Sequence, residues 1–245
     1  MFIFNLFFLS KLLFIKNFKS VDNSVFTETA ILQLDIIKSL NLTQKINIDF
    51  SEKYSNIRSG AYINNLYFTN SQFRKVRLTN FVTDDNRQMF TSIWYPSYEY
   101  DAPILSIDLV NFGKNELGKD RAMCIVNLIE IEKNKYTQPF IEIKQNYPEL
   151  NERNVEHLPY KKYLNDAMLY GHIYDLDKFQ TIIPDALKEY FNIYLNTFQK
   201  TTNTDFVKET HIEYNNFRAK MDVGFMPKDF FDPEWYASMI QDYYK

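Results

Sequence analysis

Ile104-Leu105-Ser106-Ile107-Asp108-Leu109-Val110 is an apolar, β-prone run with a carboxylate inside it. It follows Trp94-Tyr95-Pro96-Ser97-Tyr98-Glu99-Tyr100-Asp101-Ala102-Pro103, where two prolines mark a connection. Strand side chains alternate between faces, so Leu105, Ile107 and Leu109 share one face. Ile104, Ser106, Asp108 and Val110 share the other. An ionised carboxylate on an apolar face is costly, so it must be paired, hydrogen-bonded or protonated. Burial raises a carboxyl pKa and makes the group a workable proton donor near neutral pH. A solvated strand face or a structural ion pair would also account for Asp108.

Outward from this run the same period continues. Residues 57–68, 73–82, 88–95 and 104–112 read as strands, and Met123 to Glu132 alternates again. That gives about five strands of antiparallel type with no helix between them. Helical spacing flanks them on both sides. Residues 25–41 carry Ile31, Leu34, Ile36, Ile37 and Leu40. Residues 137–147 also read as helix. Pro184 to Gln199 reads as a helix starting near its proline. Residues 205–221 and 233–244 add two more. Contiguous strands argue against a parallel doubly wound sheet and for an α+β or α/β/α sandwich.

Composition narrows the function classes. The 245 residues carry 28 Lys and Arg against 31 Asp and Glu, a net charge of −3 that does not favour general nucleic-acid binding. Hydrophobic residues make up 45%, enough for a proper core. A single cysteine, Cys124, excludes an intrachain disulfide framework and a four-cysteine metal cluster, and points to a reducing compartment. Cys124 lies in an apolar strand and reads as an inert core residue. The apolar stretch Met1 to Ile15 is short for a membrane span and lacks a positive side chain ahead of it. It fits a helix packing on the domain better than a targeting or membrane-surface segment.

Nucleotide and metal motifs are missing from the sequence. There is no G-x-G-x-x-G and no Walker motif, and His157, His172 and His211 lack metal-ligand spacing. A serine nucleophile elbow is absent too. A second odd acid, Asp222, closes the helical run Tyr214 to Met221, with Arg218 one turn before it. Taken alone, Asp222 reads as a helix-ending residue with Arg218 as a surface partner.

Several ordered segments resemble the ferredoxin-dependent bilin reductases. They are Phe73-Arg74-Lys75-Val76-Arg77, Gln88 to Pro96, Tyr100 to Val110, Ala167-Met168-Leu169-Tyr170-Gly171-His172, and Tyr214 to Asp222 followed by Glu234-Trp235. They span residues 57 to 244, and their order and spacing carry the specificity. The resemblance implies one domain over residues 1–245, with 1–20 as an apolar N-terminal extension. It also implies a three-layer α/β/α sandwich around a central antiparallel sheet, an α+β fold. An open-chain tetrapyrrole would lie between the sheet and the C-terminal helices. No flavin, nicotinamide or metal would be bound. Reduced [2Fe-2S] ferredoxin would deliver electrons one at a time, giving bilin radicals.

By the same resemblance, Asp108 matches the sheet aspartate that protonates the bilin, and Asp222 matches a second acid from the helical side. Thr91, Ser106, His172 and Arg218 match substrate-binding positions. This chain departs from the usual pattern at several of them. Thr91 stands where phycocyanobilin-forming members have histidine and phycoerythrobilin-pathway members usually have asparagine. Ser106 replaces a glycine, His172 replaces an arginine that contacts a propionate, and Val223 replaces a proline. Asn127-Leu128-Ile129-Glu130 replaces an Asp-Phe-Gln-Pro-like stretch. Trp94 to Gly113 is most like members that reduce the C15=C16 bridge of biliverdin IXα to 15,16-dihydrobiliverdin. Arg218 is more like the partner enzyme that reduces the A-ring diene to phycoerythrobilin. A non-catalytic bilin carrier on the same fold is the remaining alternative. The expected partners are the bilin, ferredoxin and the next reductase of the pathway. Ferredoxin is usually acidic, so Arg74, Lys75, Lys161 and Lys162 are candidate docking cations. The expected setting is an algal plastid stroma, or the cytoplasm of a cyanobacterium, with a monomer as default.

Overall fold

The computed structural model describes residues 25–45, 61–132, 135–152, 161–220 and 226–244. Its centre is a seven-stranded antiparallel sheet in the order β1-β2-β3-β4-β6-β7-β8. The strands are β1 (Thr43–Lys45), β2 (Ala61–Thr69), β3 (Phe73–Thr83), β4 (Gln88–Pro96), β6 (Ile104–Lys114), β7 (Asp120–Ile129) and β8 (Leu169–Ile173). A small second sheet joins β5 (Tyr100–Asp101) to β9 (Gln199–Lys200). Five α-helices are described: α1 (Thr27–Ser39), α2 (Thr137–Asn146), α3 (Leu176–Tyr194), α4 (Thr204–Lys220) and α5 (Pro233–Tyr243).

The alternation in each strand sorts these helices into two outer layers. Leu105, Ile107 and Leu109 of β6 join Cys124, Val126 and Leu128 of β7 in one apolar core. Ala30, Leu34 and Ile37 of α1, Phe140 of α2 and the Phe179-to-Tyr194 face of α3 close over it. Trp94 is fully buried there and donates its indole N–H to Gln33 Oε1 at 3.1 Å. Each large apolar side chain buried in this layer contributes about 1.5–3 kcal/mol. The opposite face carries Ile63, Phe81, Met89, Ile93, Tyr95, Ile104 and Val110, covered by Tyr214 of α4 and Met239 and Tyr244 at α5. This is the three-layer sandwich expected from contiguous strands flanked by helices.

Two sequence expectations change. Pro184 does not start its helix. α3 begins at Leu176, where Asp175 accepts the Lys178 N–H at 3.1 Å, and Pro184 lies inside the helix. The side-chain cap sets the start, and the buried face of α3 outweighs the broken backbone bond. β1 and β8 carry too few residues for a period to register in the sequence. β8 also contains Gly171, where any Cβ would collide with the Glu149 carbonyl oxygen of the adjoining 3-10 turn Pro148–Leu150. The expected helix over the apolar N-terminal stretch, residues 57–60 and His157 lie outside the described residues.

Candidate active site

The register of the sheet builds the site. Asn65, Thr79, Thr91, Asp108, Ile125 and Tyr170 stand side by side across β2, β3, β4, β6, β7 and β8. One row along, Tyr67, Arg77, Ile93, Ser106 and Asn127 face the same way. Thr91 is therefore the direct neighbour of Asp108, and Ser106 follows on the same face. Both are buried, as is Ile125, yet Asp108 between them remains partly accessible. Asp108 thus keeps partial access to solvent on the sheet face that the α4–α5 layer covers.

The surroundings of Asp108 are short of hydrogen bonds. Ser106 Oγ lies 3.4 Å from its Oδ2, and among the described residues Asp108 forms no ion pair. Burial raises its pKa above the ordinary carboxylate value. The charge of Arg218, the Ser106 bond and the charge of Arg77 oppose the rise. The raised value holds a proton closer to neutral pH, which is what a general acid requires.

Arg218 is buried at the end of α4, not exposed as its helical spacing suggested. Its Nε and Nη2 donate to the Tyr244 hydroxyl at 3.2 and 3.0 Å. Tyr214, one turn earlier, is buried and packs edge-on against Tyr163, ring centroids 5.1 Å apart. Sequence reading missed both tyrosines, since aromatic residues at helical spacing read as core. It also missed Arg77, whose Nη2 donates to Asn65 Oδ1 at 2.7 Å, where Thr79 Oγ1 donates as well. The alternation Lys75-Arg77-Thr79 in a β run was the available signal.

The other expected site residues divide. His172 stands two strands from Asp108 and one row along, opposite Met123. Two strand spacings and one row along together put it about 12 Å away. Its backbone N–H donates to Glu152 Oε1 at 2.8 Å, and its Nδ1 lies 3.1 Å from Oε2. Asp222 lies outside the described residues. Asn127 ties a loop down: its Nδ2 donates to the Tyr163 carbonyl at 2.8 Å, and its Oδ1 accepts the Asn165 N–H at 3.0 Å. Glu130 does likewise, accepting from Tyr136 N–H at 2.7 Å and Asn165 Nδ2 at 2.6 Å. Cys124 sits behind Asp108 on the opposite face, and burial pushes its thiol pKa up, so it is inert as a nucleophile.

Of the docking candidates, Arg74 stacks on Tyr95 at 4.2 Å and Tyr98 at 5.1 Å, and burial lowers its pKa. Lys75 Nζ donates to the Asp242 carbonyl at 2.6 Å. These two are committed to the fold. Lys161 and Lys162 are exposed, and Lys162 lies 3.4 Å from Glu213. Among the described residues, no group of three or more His, Cys, Asp or Glu could hold a metal ion, and no helix is long and apolar enough to cross a membrane.

Known proteins are similar to this chain in sequence and in fold. The chain is 24% identical over 205 residues to a 15,16-dihydrobiliverdin:ferredoxin oxidoreductase of Nostoc punctiforme, covering 76% of this chain and 79% of the relative. It is 26% identical over 210 residues to one of Prochlorococcus marinus, covering 81% and 87%. A tomato phytochromobilin synthase, solved in complex with biliverdin, shares the fold with a TM-score of 0.67 at 14% identity, over 87% of this chain and 80% of that one. Residues 32–243 match the family described as ferredoxin-dependent bilin reductase, whose members are oxidoreductases, so the carrier alternative falls away. With an antiparallel sheet between two helical layers and a family match running through both of them, this chain belongs to the ferredoxin-dependent bilin reductases.

Proposed function

We propose that this enzyme reduces biliverdin IXα at its C15=C16 bridge to 15,16-dihydrobiliverdin. The observation that carries the reading is Asp108: a partly accessible carboxyl, raised in pKa, in the middle of the sheet face beneath α4 and α5. Relatives named for this conversion, matched over most of their length, favour the C15=C16 step. Two reduced ferredoxins supply two electrons, one at a time, through bilin radicals. Two protons complete the step, so that C15 and C16 each gain a hydrogen and two oxidised ferredoxins leave. Asp108 gives one proton to the tetrapyrrole, which makes it a better electron acceptor. Asp222, two residues beyond α4 in sequence, is the proposed second acid. Thr91 offers a hydroxyl to a lactam or a water, and it does not titrate near neutrality. His172, on the β8 side, faces a propionate.

Reduction of the A-ring diene is a second reading, favoured by the buried Arg218 near Asp108. The enzyme works as a monomer beside a pool of reduced ferredoxin, in an algal plastid or a cyanobacterial cytoplasm, and passes its product to the next reductase. The test is an anaerobic reaction with ferredoxin, its reductase and either biliverdin or 15,16-dihydrobiliverdin, resolved by chromatography against standards. Conversion of biliverdin to 15,16-dihydrobiliverdin supports the first reading. Consumption of 15,16-dihydrobiliverdin alone supports the second. An unchanged bilin spectrum over hours with both substrates would sink both.

A further inference from the structure

We infer that a buried polar seam between α1 and strands β3 and β4 is a binding site for ordered water, on the side of the sheet away from Asp108. Five side chains build it: Thr29 and Gln33 of α1, Asn80 of β3, and Gln88 and Ser92 of β4. All are buried, none more than 3% exposed. Among the described residues, seven of their polar atoms have no hydrogen-bond partner. These are Thr29 Oγ1, Gln33 Nε2, both amide atoms of Asn80, both of Gln88, and Ser92 Oγ. A buried donor or acceptor left unpaired keeps its full desolvation cost. Seven of them together would cost about as much as the whole stability of an ordinary domain.

Register and two contacts bring these atoms together. The even-numbered residues of β3 and β4 face α1, as Leu78, Phe90 and Trp94 do within the apolar core. Asn80 pairs with Phe90, so its diagonal neighbours on that face are Ser92, opposite Leu78, and Gln88, opposite Val82. Diagonal neighbours lie about 7–8 Å apart, a span that one water bridges between two polar side chains. α1 runs along β4 and closes the seam. The ring of Phe26, at its start, lies 6.5 Å from that of Phe90, and Gln33 Oε1 accepts the Trp94 indole N–H at 3.1 Å. Thr29 falls between Phe26 and Gln33 on the helix, as Ser92 falls between Phe90 and Trp94 on the strand. The two buried hydroxyls therefore come to one level of the layer.

The mixture of donors and acceptors decides the ligand. The Trp94 bond fixes which end of the Gln33 amide is oxygen, so its Nε2 can only donate. Asn80 and Gln88 each bring one donor group and one acceptor, and the hydroxyls of Thr29 and Ser92 do both. A cation would leave the amide nitrogens unpaired, and an anion would leave the amide oxygens unpaired. A small neutral molecule that donates and accepts suits every atom, and water is the smallest. At about three hydrogen bonds per buried water, the seven atoms hold about two.

The substrate-free protein tests this site, independently of the reaction assigned to the opposite face. A crystal structure locates ordered water, and oxygen-17 relaxation dispersion counts the molecules held inside the fold. The wild-type crystal should show water bonded to at least two of the five side chains. Asn80→Leu keeps the volume of the side chain and removes both amide atoms. It should lower the count of long-lived waters by about one, and N80L combined with Ser92→Ala by about two. Bilin turnover should be unchanged in both, because these side chains face away from Asp108. A wild-type crystal in which the five groups bond directly to one another, with no water between them, would overturn the site. An unchanged water count in the double variant would do the same. If the double variant does not fold, the wild-type crystal decides alone.

Discussion

Asp108 and His211 show how burial sets the behaviour of a single group in opposite senses. The folded-state pKa of Asp108 is raised, so its contribution to stability is fully present below the unfolded value and is lost as pH rises through the folded one. At neutral pH the wild-type carboxyl is therefore a stability cost. Asp108→Asn should raise the unfolding temperature at pH 7 while slowing bilin reduction by about 10²-fold or more, with bilin binding kept. Thermal scans beside single-turnover assays check both halves, and full activity in the variant would remove the proton-donor role. His211 in α4 is buried beside Tyr95 and Tyr98, and neither ring nitrogen has a hydrogen-bond partner. Burial, aided by the charge of Arg74, pushes its pKa down to about 3. The unfolded histidine takes up a proton as pH falls through about 6.5, and the folded one does not. Stability is therefore full above that value and drains away towards pH 3. By pH 5 the loss is about 2 kcal/mol. Urea titrations at pH 7 and pH 5 should reveal it, and His211→Phe should flatten the difference.

At the scale of elements, β6 was legible because one carboxylate interrupts a strict alternation, and the neighbouring strands obey the same period. Its role as the middle of the site's floor follows from register, since Thr91 and Asp108 are paired residues of adjacent strands. What the sequence concealed has physical causes. β8 is five residues with a glycine in the middle, and its place at the sheet edge is set by the close approach of the Pro148–Leu150 turn. Gly171→Ala should therefore destabilise the protein by about 1–3 kcal/mol, read as a lower urea midpoint at unchanged slope. α3 hid its start because an interior proline imitates a first-turn proline. α5 begins with Asp232 accepting the N–H groups of Glu234 and Trp235 at 3.0 and 2.9 Å. Asp232→Ala should cost about 1 kcal/mol in the same urea titration. Arg77, Tyr214 and Tyr244 escaped sequence reading because partners distant in the chain give them their meaning. Arg218 was visible as a residue, and its burial against Tyr244 was not.

Across the whole molecule the acid-bearing face and the exposed pair Lys161 and Lys162 belong to the same side. Lys161 and Lys162 lie on the segment whose Tyr163 packs on Tyr214 and Phe217 of α4, centroids 5.1 and 4.9 Å apart. An acidic electron donor arriving there would approach the helical layer that covers Asp108. Reversing both lysines to glutamate should lower kcat/KM for ferredoxin by about tenfold at low salt, with the gap closing as ionic strength rises. Equal loss at every salt concentration would point to a folding defect instead. The sandwich also separates the two tryptophans by a full sheet. Trp94 is sealed beneath α1 with its indole bonded to Gln33, while Trp235 is partly exposed on α5 against Phe231 at 5.0 Å. Their emission should differ in colour and in access to quenchers, the sealed one bluer and slower to quench. Acrylamide would then dim Trp235 first, so the protein carries its own two-channel fluorometer: one channel for lifting of the C-terminal layer, the other for loss of the core.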